Sequence, residues 1–126
     1  MADTSKGKIK PKVLVVDDEQ MIADTLAIIL NQSGYDAVAV YTGAAALESA
    51  RANKPDLVIS DVIMPDMNGI EAVIKIREFL PGCKVLLFSG QAATADLLEM
   101  ARNQGHEFEI LAKPVHPQDL LAKLRE

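Results

Sequence analysis

The sequence predicts an α/β protein, a doubly wound parallel sheet of five strands covered by helices on both faces. From Lys12 onward, short β-branched runs alternate with longer stretches of helical period. Parallel neighbours need crossovers, which are right-handed and lay helices on both faces of the sheet. At 126 residues the chain supports one hydrophobic core and is too short for two. With 49% hydrophobic residues, 4% aromatics and no Trp, that core must be aliphatic.

The elements follow in order. The first dozen residues, "MADTSKGKIKPK", carry four lysines and no apolar run. Residues 1–11 are therefore expected to be a flexible basic lead-in, and 12–126 the folded domain. Strands are predicted at Val13 to Val16, Ala37 to Tyr41, Leu57 to Ser60, Val85 to Phe88 and Ile110 to Ala112. Between them, helices are predicted near Met21 to Gln32, Ala44 to Asn53, Ile70 to Phe79 and Thr94 to Asn103, with a last one near Gln118 to Arg125. Gly34 and Gly105 suit left-handed terminators, and Pro117 suits a helix's first turn.

Composition excludes several function classes. A net charge of −5 and a pI near 5.0 argue against a nucleic-acid surface, so no direct nucleic-acid contact is expected. No segment has the length and apolarity of a membrane span or signal-peptide core, so no membrane contact is expected. Cys83 is the one cysteine, which fits a reducing cytoplasm. His106 and His116 have no second ligand type beside them and are not expected to bind metal.

The strand exits carry the chemistry. The first strand leaves through Asp17, Asp18 and Glu19, the third into Asp61, the fourth into Ser89 and the fifth into Lys113. The second leaves through Tyr41, Thr42 and Gly43, without charge. Asp18 and Glu19 also suit the start of the following helix, where carboxylates meet free N–H groups. In open α/β sheets, however, ligands bind outside the carboxyl ends of the strands. Carboxylates gathered there either raise a pKa or recruit a cation. Oxygen-only donors favour a hard ion, Mg²⁺ with Mn²⁺ as a substitute. Lys113 and Ser89 add a positive charge and a hydroxyl donor for phosphoryl oxygens, and a carboxylate beside them can accept phosphoryl as an acyl phosphate.

Four motifs, "VVDDE" at 15–19, "DVIMPDMNG" at 61–69, "LLFSG" at 86–90 and "LAKPV" at 111–115, resemble the receiver domains of two-component response regulators. The resemblance runs from Lys12 to Glu126, with single-domain chemotaxis-type regulators as close parallels. It implies a flavodoxin-like (βα)5 fold with strand order 2-1-3-4-5. It implies Asp61 as phospho-acceptor, served by a sensor histidine kinase or a histidine phosphotransfer protein. Asp18 is similar to the direct Mg²⁺ ligand and Asp17 to one acting through metal-bound water, while Ile63 would lend its backbone carbonyl. Ser89 resembles the switch hydroxyl, and Lys113 the cation that contacts the phosphoryl group. By the same pattern the Lys113–Pro114 bond is cis, and Gly69 opens the third helix. Ile63 and Gln91 should border the path of the water that hydrolyses the acyl phosphate. No turnover is expected beyond the protein's own phosphorylation and dephosphorylation.

Phosphorylation would switch the face formed by the fourth helix, fifth strand and fifth helix toward an output partner that the sequence does not specify. Two departures bear on this. Ile110 stands where the family usually places a switch aromatic, with Phe108 two positions earlier on the same side by strand alternation, and Gly105-His106 replaces the usual Gly-Ala. An unphosphorylated pseudo-receiver module is the alternative reading. A haloacid-dehalogenase-type phosphohydrolase is disfavoured because residue 63, two past Asp61, is Ile where that chemistry needs a second Asp. A flavodoxin-like cofactor carrier lacks its Ser/Thr/Gly-rich loop after the first strand.

Overall fold

A computed structural model describes residues 10–89, 94–106, 108–113 and 116–125. Five strands, β1 (Lys12–Val16), β2 (Asp36–Val40), β3 (Leu57–Asp61), β4 (Lys84–Ser89) and β5 (Glu109–Ala112), alternate with α1 (Gln20–Gln32), α2 (Gly43–Asn53), α3 (Gly69–Phe79), α4 (Thr94–Asn103) and α5 (Pro117–Leu124). The sheet is parallel throughout in the order β2-β1-β3-β4-β5. The predicted fold class and strand order hold.

Apolar alternation along the strands builds a core on each face. Leu14, Val16, Val58 and Leu87 face α2, α3 and α4, whereas Val13, Val15, Ile59 and Phe88 face α1 and α5. Boundaries differ from the expected ones by a residue or so, for backbone reasons. The β1–β2 ladder starts a residue early because Lys12 pairs with Asp36, whose N–H reaches the Pro11 carbonyl at 2.9 Å. It stops at Val40, whose carbonyl accepts from the Asp17 N–H at 3.2 Å and leaves Tyr41 outside. At the outer edge, the Asn31 side chain donates to the Ala37 carbonyl at 3.1 Å and accepts from its N–H at 2.9 Å, so α1 ties down the edge strand.

Gly34 and Gly105 take the left-handed conformation expected of them, with φ of 97° and 91°. Lys54 does the same after α2 with φ 49°, although it carries a Cβ. Pro117 occupies the first turn of α5. Cys83, just ahead of β4, is 6% exposed, and burial pushes its thiol pKa up to about 11. Among the described residues no helix is long and apolar enough to cross a membrane.

Candidate functional site

The carboxyl ends of β1, β3, β4 and β5 meet because parallel strands in register end together. Val16 pairs with Ser60, Asp61 with Phe88, and Ser89 with Ala112. Asp17 leaves β1 fully buried, Asp61 ends β3 at 6% exposure, and Asp18 faces solvent. One carboxylate oxygen from each of the three lies within 4.8 Å of the others. No other group of three acidic, His or Cys side chains among the described residues gathers this way.

Lys113 enters from β5. Its N–H donates to the Ser89 carbonyl at 3.2 Å, fixing the backbone beside β4. Its ammonium passes over the Phe88 ring at 5.1 Å from the centroid and reaches Asp17 Oδ2 at 3.3 Å, Asp61 Oδ2 at 3.4 Å and Glu19 Oε1 at 3.5 Å. Burial raises the Asp61 pKa most, the Asp17 charge adds to it, and the Lys113 ammonium only partly offsets them, leaving it at about 6. Burial likewise raises Asp17, against the Glu19 N–H donated to its Oδ1 at 3.0 Å and the Lys113 charge. Burial alone would lower the Lys113 pKa, but Asp61 and Asp17 together outweigh it and hold that pKa above its usual value.

Asp17 Oδ2 is the test of whether a metal fits. It is fully buried and within ion-pair distance of Lys113, yet it accepts no hydrogen bond among the described residues. Among the described residues its one charge partner is the Lys113 ammonium, which it shares with Asp61 and Glu19, so a further cation would complete this buried carboxylate. Three Asp carboxylates beside one ammonium leave the pocket negative, and their donors are all oxygen, the set that a hard divalent cation takes.

Of the residues singled out in the sequence, Asp17, Asp18, Asp61 and Lys113 come together. Ser89 lies at the same edge, 8% exposed, joined to Lys113 through the backbone. Ile63 stands two residues past Asp61 with a side chain 41% exposed. Ile110 is half-buried and packs with Phe108 against one cluster, so the two share a side of β5, as alternation predicts. Phe108 is engaged there, with the Arg77 guanidinium 4.8 Å from its ring centroid. Gln91 and Pro114, with the peptide bond expected to be cis, lie outside the described residues.

Two acids have roles that sequence reasoning missed. Glu19 takes the N-cap position of α1 but makes no side-chain cap bond there; its carboxylate turns to Lys113 instead. The capping expectation for this residue therefore fails in its side chain. Asp66 accepts from the N–H groups of Gly43 at 3.0 Å and Ala44 at 2.9 Å, which hold its pKa below the usual carboxylate range. It ties the loop after Asp61 to the start of α2. An acid after a proline, in the loop between β3 and α3, was the available signal, but it does not say which helix is capped.

Comparison with known proteins gives the family and the fold. Residues 13–125 match the family model described as the response regulator receiver domain. The chain is 30% identical over 117 residues to the DNA-binding response regulator MtrA of Mycobacterium tuberculosis, covering 93% of this chain and 50% of that one. It is 34% identical over 117 residues to the alkaline phosphatase synthesis transcriptional regulatory protein PhoP of Bacillus subtilis, covering 90% and 47%. It thus spans about half the length of these relatives. Among solved structures it is similar to a CheY-like receiver domain protein of Methanospirillum hungatei, with TM-score 0.84, 30% identity, and 93% and 92% of the two chains covered. Chemotaxis protein CheY4 of Vibrio cholerae gives 0.83 and 29%, with 93% and 98% covered.

These relatives overturn one expectation. Freedom from nucleic-acid contact was read from a net charge of −5, yet relatives at 30% identity are named DNA-binding response regulators. The charge argument reaches only the surface of these 126 residues, and the match occupies about half of each relative.

Proposed function

Because this chain belongs to the response regulator receiver domains, the phosphoryl-accepting modules of two-component signalling, we propose that Asp61 is its acceptor and that a phosphohistidine on a sensor kinase or phosphotransfer protein is the donor. An Asp61 carboxylate oxygen bonds to phosphorus as the bond from phosphorus to the donor nitrogen breaks, and the imidazole leaves with that electron pair. The product is an acyl phosphate. Lys113 and the Ser89 hydroxyl then receive the phosphoryl oxygens, replacing part of the water that the group loses on entering.

Asp17, Asp18, Asp61 and the Ile63 carbonyl would hold Mg²⁺, or Mn²⁺ in its place. Such an ion would supply the positive charge that lets an anionic phosphoryl group approach carboxylates. The residues do the remainder: Asp17 and Lys113 fix the position of Asp61, and the buried end of β3 keeps bulk water from one side of it. Near neutral pH an Asp61 pKa of about 6 leaves the carboxylate mostly ionised and nucleophilic.

The observation that carries this reading is the grouping of Asp17, Asp18 and Asp61 within 4.8 Å with the Lys113 ammonium 3.4 Å from Asp61. Acetyl phosphate with Mg²⁺ should add one phosphoryl group by intact mass. Chelation with EDTA should abolish the addition, and Asp61→Asn should not gain it. An Asp61→Asn protein that still takes up phosphate overturns the assignment. Residues 12–126 form the receiver unit in this reading, with 1–11 as a lead-in. The relatives' names support a transcriptional output for the protein that carries it.

A further inference from the structure

Lys113 has three N–H bonds and three carboxylates around it, two of them buried and one not. Asp17 and Asp61 side chains are 0% and 8% exposed, whereas the Glu19 side chain is 62% exposed. Glu19 is also held at the mouth by its own backbone, whose N–H donates to Asp17 Oδ1 at 3.0 Å and whose carbonyl starts α1 by accepting from Ile22 and Ala23. Its carboxylate forgoes the N-cap bond and reaches Lys113. When phosphoryl arrives on Asp61, Lys113 must turn from one of these carboxylates to a phosphoryl oxygen. Asp17 cannot turn to water, but Glu19 can.

Resting on the phospho-acceptor reading, we propose that Glu19 is a positioning residue that acts through Lys113. It holds the ammonium at the mouth before transfer, is the partner released afterwards, and keeps the entrance negative, so that small anionic donors are selected against. A phosphohistidine carried by a protein can offset that repulsion with contacts elsewhere on its surface. A free donor such as acetyl phosphate cannot. In that reaction the Asp61 oxygen bonds to phosphorus while the bond to the acetyl oxygen breaks, and acetate leaves with the electron pair.

The test compares wild type with Glu19→Gln, which removes the charge and keeps the shape of a side chain that carries no core packing. Phosphorylation by acetyl phosphate with Mg²⁺ is followed by intact mass at low and high salt, and by phosphoramidate, a donor of lower net charge. Binding of beryllofluoride with Mg²⁺, which involves no donor, is followed by NMR at the Lys113 side chain. Glu19→Gln should be phosphorylated by acetyl phosphate roughly two- to fivefold faster at low salt, as suits a largely exposed charge, with a smaller gain at high salt and with phosphoramidate. It should also bind beryllofluoride more tightly. Equal or slower phosphorylation with unchanged beryllofluoride binding overturns the role of Glu19 and leaves the acceptor reading standing. Failure of both proteins to take up phosphoryl or beryllofluoride overturns both.

Discussion

Asp61 is held in a form that the fold does not favour. With its pKa raised from 3.8 to about 6 by burial and by Asp17, the folded protein binds a proton there more tightly than the unfolded chain does. The stability tied to that proton is full below about pH 4 and is lost as pH rises through about 6. Asn is neutral throughout. Metal-free Asp61→Asn should therefore be more stable than wild type by roughly 1–3 kcal/mol at about pH 8, with the gap closing toward about pH 4. Urea unfolding in EDTA across that range measures it, and a gap independent of pH would refute the assignment of the strain to Asp61. Asp17, Asp18, Asp61 and Lys113 were legible in the sequence because strand ends declare themselves by the change from β-branched to polar residues. The turn of Glu19 toward Lys113 was not, because an acid after a strand suits a helix start equally well, and only the folded distances decide between them.

The start of α3 folds back onto the residue that follows β3. Asn68 caps it by accepting from the Glu71 N–H at 2.7 Å, and the Gly69 N–H donates to the Val62 carbonyl at 2.6 Å. That approach is so close that a Cβ on Gly69 would overlap the Asp61 carbonyl oxygen and lie 2.9 Å from Ser60 Oγ, in a buried place where neither can give. Gly69→Ala should thus lower stability by about 3 kcal/mol or more and slow phosphorylation with it, because relief requires moving the backbone of Asp61 itself. Thermal unfolding beside a phosphorylation time course checks this, and a normal melting temperature would contradict it. Sequence reading found this glycine through a motif and found α3 through its apolar spacing. The contact itself was invisible, since Asp61 and Gly69 are separated by a loop whose path no local preference sets.

Across the whole molecule, burial is uneven. β1, β3 and β4 are buried along nearly their full length, whereas no described residue of β5 is fully buried and α5 buries only Leu120. In α4, Ala101 is the buried residue among those whose side chains are described. Regions with little buried apolar area open first. Amides of β5 and α4 should therefore exchange with solvent well before those of β1 and β3, a contrast readable by hydrogen-exchange mass spectrometry. Equal protection of β5 and β3 would rule it out. Alternation and length made the five repeats plain, but this gradient depends on how far each helix lies over the sheet, which periodicity does not encode. Cys83 adds a practical consequence. As the one cysteine in the chain, buried with its thiol near 11, it stays protonated and shielded from maleimides at neutral pH. A cysteine placed at Met100, 59% exposed on α4, would then be the only thiol to react, so a dye or spin label could be attached to that helix in the otherwise natural sequence.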